Sequence, residues 1–169
     1  MVKLTRLMKH LFLPDWLVRV RFKKHQMQQI AEAITSSEKM HDGEIRFAVE
    51  ASLPLADLLK NRSARDRALD VFSNLRIWDT EQNNGVLIYF LLADHDFEII
   101  VDRGFNARVD ARVWPVIAQS MEQHCKDGDF AGAVLVGILT ITQLQTQYFP
   151  NTGKTTNELS DEPVIVRGN

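Results

Sequence analysis

Eight consecutive apolar side chains, Val86 to Ala93, constrain this chain's fold more than any other feature. An unbroken run of this length reads as a central strand covered on both faces, which needs strands beside it and helices above and below. The neighbouring strands are legible. Glu44 to Ala51 alternates, with Ile45, Phe47, Val49 and Ala51 on one side and Glu44, Arg46, Ala48 and Glu50 on the other. Phe97 to Asp102 alternates again after the short turn Asp94-His95-Asp96, so the apolar run and this segment form a hairpin.

Helical spacing fills the intervals. Between the first two strands, Leu55 to Leu59 starts a pattern that resumes after Asn61. Ser63 with Asp66 forms a capping box there, and Ala68, Leu69, Phe72 and Leu75 supply the apolar face. Strand, crossover helix and strand make a right-handed βαβ unit, with the third strand antiparallel beside it. Met27, Ile30, Ala31 and Ile34 share the face of an earlier helix. Trp114, Ile117, Ala118 and Met121 mark a later one, which Pro115 predicts to start late. Phe130 to Phe149 reads as a buried core helix, since its apolar stretch to Ile141 is too short to span a bilayer. Pro150 stops it, and residues 151–169 are expected to be a polar, mobile tail. The organisation is thus a basic segment over 1–25, one α/β domain over 26–150 and the tail.

Charge is uneven along the chain. Lys3, Arg6, Lys9, Arg19, Arg21, Lys23 and Lys24 face only Asp15 in the first 30 residues, although the whole chain carries −2. Within this head Leu4, Leu7, Met8, Leu11 and Phe12 recur at helical spacing, an amphipathic basic stripe suited to an anionic membrane surface. The plainer alternative is that the head packs on its own acidic body, with Trp16 and Phe22 as anchors. Nucleic acid is disfavoured because the body is acidic. The head has too short an apolar stretch for a signal peptide, and the lone Cys125 forms no internal bridge. The expectation is a cytoplasmic chain, peripheral at the inner membrane face when the head meets lipid.

Standard chemical motifs fail one after another. Gly153-Lys154-Thr155 ends like a P-loop, but the glycine required five positions earlier is Tyr148. Asp79, Glu81 and Asn83 start like a calcium loop, but Gly85 comes one place late and Phe90 stands where the closing Glu belongs. Cys125 lacks the downstream arginine of a thiol phosphatase. His10, His25, His41, His95 and His124 fall in no metal-ligand spacing.

Four segments together resemble the TPM-domain family: Gly43 to Glu50, Ala64 to Ala68, Trp78 to Ile88 and Glu98 to Gly104. Asn83-Asn84-Gly85 leading into the apolar strand, with the Asp102-Arg103-Gly104 turn after the hairpin, is the most specific part. The resemblance covers roughly residues 30–150 and implies a three-layer αβα sandwich around a mixed sheet. It also implies a role among diverse ones: photosystem repair, service as an accessory partner of membrane proteins, or the acid phosphatase activity with calcium binding claimed for plant members. The signal peptide, carboxy-terminal membrane helix and glycine-rich tail of most bacterial relatives are missing, so the chain looks like a short soluble branch.

Two candidate sites follow. At the carboxyl ends of the first two strands lie Ser52, Asp94 and Asp96, where open α/β sheets bind ligands. At the other end, Asp79, Glu81 and Asn84 should approach Asp102 and Arg103, an oxygen-rich set suited to a hard cation such as calcium. Turn chemistry is the competing account of Asn83-Asn84-Gly85. With no catalytic constellation assembled, the expected function is a non-catalytic interaction domain for an unknown protein partner, and the alternative a calcium-binding domain with weak acid phosphatase activity.

Overall fold

Strand β2 (Gly85–Leu91) is buried at every position and hydrogen-bonded on both edges, as its apolar run demands. The computed structural model describes residues 4–153 and 157–167, so Lys154 and Thr155 of the P-loop near miss lie outside the described residues. Strand β1 (Glu44–Glu50) runs parallel to β2 with Phe47 opposite Ile88. Strand β3 (Asp96–Val101) runs antiparallel on the other edge with Ile99 opposite Ile88, completing the expected hairpin.

Helices cover both faces. On one, α3 (Lys24–Glu38), α6 (Val113–Lys126) and α7 (Phe130–Tyr148) pack Ile30, Ile34, Ile117, Met121, Val134 and Ile138 against Ile45, Phe47, Val49, Ile88 and Phe90. On the other, α4 (Leu55–Leu59) and α5 (Ala64–Asn74) pack Leu58, Ala68 and Val71 against Leu87, Tyr89 and Leu91. Each fully buried aliphatic or aromatic side chain contributes about 1.5–3 kcal/mol, which makes this αβα sandwich the stable outcome of the pattern. The capping box forms as expected: Asp66 N–H donates to Ser63 Oγ at 3.1 Å, and Ser63 N–H donates to Asp66 Oδ2 at 2.8 Å. By length and composition α7 would span a membrane, yet Ala133, Val134, Ile138 and Ile141 are buried in the core.

Three expectations need correction. Pro115 does not delay α6, which starts at Val113, because a proline in the first helical turn lacks only an N–H that has no intrahelical partner there. The tail is not mobile throughout. Val164–Val166 forms β4, parallel to β1 with Ile165 opposite Val49, and gives a sheet of order β3-β2-β1-β4. The head is not a separate segment either. Its helices α1 (Leu4–Phe12) and α2 (Trp16–Arg21) lie on the body, with Val18 and Phe22 inside the core.

The charged side of β1 is buried as thoroughly as its apolar side. Glu50 has no exposed surface, and its carboxylate accepts from Arg67 Nε at 2.9 Å, Arg67 Nη2 at 2.8 Å and Tyr89 Oη at 2.7 Å. Arg67 sits on α5, so the bidentate pair fastens the second helical layer to the sheet. A buried carboxylate stripped of its partner is far costlier than the pair itself is favourable. Arg67→Met is therefore expected to lower the urea-unfolding free energy by about 3–5 kcal/mol, with Glu50→Gln in the same background recovering part of the loss. A loss below about 1 kcal/mol would show the pair to be dispensable.

Candidate functional site

The carboxyl ends of β1 and β2, where a ligand was expected, are closed by the chain's own head. Arg6 on α1 donates to Asp94 through Nε at 3.1 Å and Nη2 at 2.8 Å. His10, one turn along, places Nε2 2.9 Å from Asp94 Oδ1, and its Nδ1 accepts from the Leu53 backbone N–H at 2.9 Å. A backbone N–H is an obligate donor, so Nδ1 is unprotonated and Nε2–H donates to Asp94. Burial opposes ionisation of Asp94, but the bonds from His10 and Arg6 outweigh it and hold the carboxyl far below its usual range. Ser52 is half-buried beside this latch, whereas Asp96 is exposed and accepts from the Phe97 N–H.

Docking through Arg6 and His10 turns α1 inside out. Leu7 is half-buried, while Leu4 and Phe12 are 72% and 74% exposed, with Met8 and Leu11 open beside them. Trp16 on α2, an expected anchor, is 62% exposed, and Phe22 is the anchor that is buried.

At the opposite end the family-like residues form a clasp. Asp102 N–H donates to Gly85 O at 3.0 Å, Gly104 N–H to Asn83 O at 2.8 Å and Arg103 Nε to Asn83 Oδ1 at 2.9 Å. Asn83 holds a positive φ of 52°, and a Cβ on Gly104 would lie 2.4 Å from Asn83 O. These residues thus serve turn geometry. Asn84 Nδ2 donates to Asp42 O at 2.8 Å, and Gln145 Nε2 on α7 donates to Asn84 O at 3.1 Å. Asp79 and Glu81 are exposed, and Glu81 N–H donates to Glu158 Oε2 at 2.9 Å. Among the described residues no three His, Cys, Asp or Glu side chains gather around a point a metal ion would fill. Asp79, Glu81, Asn84 and Asp102 therefore do not assemble the expected calcium set as one coordination sphere.

Beside the clasp lies a cleft of about 590 Å³, lined by Glu38, His41, Glu44, Glu81, Glu158 and Asp161 among others. Sequence reasoning missed it because residues 157–161, assigned to the tail, form one wall: Glu44 accepts from Glu158 N–H at 3.0 Å and Leu159 N–H at 3.2 Å. At its edge Ser37 and His41 stand 2.8 Å apart, the separation of a catalytic dyad, but the protons run the wrong way. Gly43 N–H donates to His41 Nδ1 at 3.1 Å, and Thr142 Oγ1 donates to Ile138 O at 2.7 Å. Ser37 Oγ, 2.6 Å from Thr142 Oγ1, must then donate to it, and His41 Nε2–H donates to Ser37. A proton added to Nδ1 would oppose the Gly43 N–H. Burial takes the His41 imidazole down to about 4.

Burial, with the charge of Glu44, pushes the Glu38 carboxyl up to about 9, and burial, with the charges of Glu158 and Asp161, pushes Glu44 up to about 7. Both acids are neutral more readily in the fold than in the unfolded chain, so their contribution is full below about 4.5 and is lost as pH rises through about 7 and then about 9. His41 acts in the opposite window: its contribution is full above about 6.5 and is lost as pH falls through about 4. Glu38→Gln keeps the acceptor that Ile45 N–H uses. It is expected to flatten the alkaline decline, gaining more than about 1 kcal/mol on the wild type between pH 5.5 and 9 in urea melts. Parallel pH profiles for the two proteins would remove Glu38 from the account.

The fold has counterparts among known proteins. The chain is similar to the NMR structure of BA42 from the psychrophilic bacterium Bizionia argentinensis, with 30% identity and a TM-score of 0.76 over 86% of this chain and 95% of that one. The N-terminal domain of a protein from P. gingivalis shares the fold at 15% identity and a TM-score of 0.58, over 81% of this chain and 90% of that one. No curated protein matches. The TPM domain matches residues 21–144, and the chain belongs to the TPM-domain family.

Proposed function

We propose that this chain is a non-catalytic accessory domain that docks through α1 and α2 onto an anionic membrane surface, the cytoplasmic face of a bilayer. The inverted seating of α1 carries the reading. An amphipathic helix on a protein body ordinarily buries its apolar face; here the polar face is latched to Asp94, and Leu4, Met8, Leu11 and Phe12 point outward. Trp16 and Val20 on α2 are exposed as well, as are the bases Lys9, Arg19 and Arg21. Apolar side chains, an aromatic ring and interleaved cations are the composition of an interfacial helix. Each base near an anionic surface contributes about 1 kcal/mol, so binding is reversible and salt-sensitive. The acidic cleft lies at the far end of the sheet, facing away from the bilayer and open to a basic protein partner.

Deleting the head is a poor test, because Val18 and Phe22 are core residues. Leu11→Ser with Phe12→Ser removes exposed side chains only, so the melting temperature should stay within the scatter of surface changes. Co-sedimentation with phosphatidylglycerol-containing vesicles is expected to fall at least about tenfold in this variant, and to weaken with salt in the wild type. Equal partitioning of the two proteins would sink the proposal.

Groups suited to phosphoryl transfer are otherwise engaged. Burial, with the charges of Glu122 and Asp129, pushes the Cys125 thiol up to about 11, Ser37 donates to Thr142, and Asp94 is held by Arg6 and His10. A second reading, weak calcium binding at the clasp, is supported by Asn84 Oδ1, Asp102 Oδ2 and Gln145 Oε1, buried oxygens without a hydrogen-bond partner among the described residues. If that reading holds, millimolar calcium raises the melting temperature of the wild type modestly and that of Asp102→Asn less. Equal shifts would dismiss it. The wild type is expected to hydrolyse p-nitrophenyl phosphate no faster than buffer; turnover lost in Asp94→Asn would overturn the non-catalytic reading.

A further inference from the structure

Behind the exposed face of α1 and α2 lies a second cavity, of about 630 Å³, within the size range of small-molecule sites at roughly 300–1,000 Å³. Its walls are apolar. Leu13 and Leu17 come from the head, Phe90, Leu92 and Ala93 from the end of β2, and Phe97, Cys125 and Phe130 from β3, α6 and α7. Space lined this way is unattractive to water, which needs two or more polar partners to be held.

The mouth has the opposite chemistry. Lys9 and Arg21 flank it and form no ion pair among the described residues. Arg21 is held with its Cζ 5.3 Å from the Phe130 ring centroid, a cation–π contact, and its guanidinium donors have no hydrogen-bonded side-chain partner among the described residues. The lining also includes Asp96, which accepts from the Phe97 N–H, and Glu122, 4.0 Å from Lys126 Nζ, so an anion is held on the side of Lys9 and Arg21. Phe12 stands at the opening and belongs to the exposed face.

We infer that this cavity binds a single-chain acyl carboxylate, the chain seated against Leu17, Phe90 and Phe130 and the carboxylate held at the mouth by Arg21 and Lys9. A largely apolar lining that also carries Lys9 and Arg21, neither in an ion pair among the described residues, fits that class. A neutral alkane has no use for the cations, and a soluble phosphate ester none for the apolar lining. Docking on vesicles uses the outer face of α1 and this site the space behind it; Lys9 and Arg21 serve both, so the vesicle-free probe assay and Cys125→Phe, and not Arg21→Glu, distinguish the two.

The test uses the full chain without vesicles, with 11-(dansylamino)undecanoate as probe below its micelle concentration. Saturable binding of one probe per chain is expected, with blue-shifted dansyl emission, displacement by dodecanoate, and no displacement by dodecyltrimethylammonium at equal concentration. Arg21→Glu should weaken binding about tenfold or more, the scale of one charge-assisted bidentate contact. Cys125 is the sole cysteine and lines the cavity, so dodecanoate should slow its alkylation by N-ethylmaleimide in the wild type, a readout that needs no variant. Cys125→Phe, if folded by circular dichroism, should lose the probe yet still sediment with vesicles. Non-saturable emission, displacement by the cationic amphiphile as effective as by dodecanoate, or unchanged alkylation of Cys125 would overturn the inference. Vesicle binding by a wild type that takes no probe would overturn it while leaving membrane docking standing; probe binding without vesicle binding would do the reverse.

Discussion

A carboxylate with no exposed surface sits near the carboxyl end of the first strand, and much of the sandwich is arranged to tolerate it. Glu50 cannot be neutralised by water, so Arg67 must reach in from α5 and Tyr89 must donate from β2. That requirement fixes the rotation of α5, and with it the packing of Ala68 and Val71 against Leu87 and Leu91. Tyr89 stays protonated because burial and the Glu50 charge both push its phenol upward. Three side chains from two strands and a helix are thereby held in one arrangement, which hydrophobic contact alone would leave adjustable.

The two ends of the sheet differ in kind. At the carboxyl end the head supplies the Arg6 guanidinium and the His10 Nε2–H to Asp94, and the exposed surface of α1 and α2 is apolar and basic. At the amino end Glu38, Glu44, Glu158 and Asp161 surround a polar cleft, and Arg46 is drawn toward them although burial lowers its basicity. Near neutral pH Glu38 is protonated and Glu44 partly so, and Glu81, Glu158 and Asp161 carry the negative charge at that end, so charge is still separated along the strands. A molecule polarised in this way approaches an anionic surface with one end forward, before any contact forms.

The layers, the βαβ unit, the hairpin and the capping box were legible because each rests on local spacing. Ala68 and Leu75 lie close in sequence, and Ser63 is three residues from Asp66. The turn function of Asn83, Gly85 and Gly104 was legible for the same reason. What escaped was long-range polar pairing. Nothing near Arg6 or His10 announces Asp94, and nothing near Glu44 announces the backbone of Glu158 and Leu159. One signal was available: Arg6 and His10 are four residues apart on the face of α1 opposite Leu4 and Leu11, where a shared anion is a natural partner. The three residues of β4 are too few to show alternation, so a strand hid inside a polar segment.

That short strand has a consequence in time. β1 meets β2 across one crossover, but its outer edge is covered only when Val164 to Val166 arrive opposite Ala48 to Glu50, after nearly the whole domain has been made. Closing so long a loop is entropically slow. Wherever those three residues are not in place, the edge of Ala48 to Glu50 is bare, a template on which a neighbouring chain's strand can add. Three residues at the far end of the chain thus protect the sheet from pairing with other molecules.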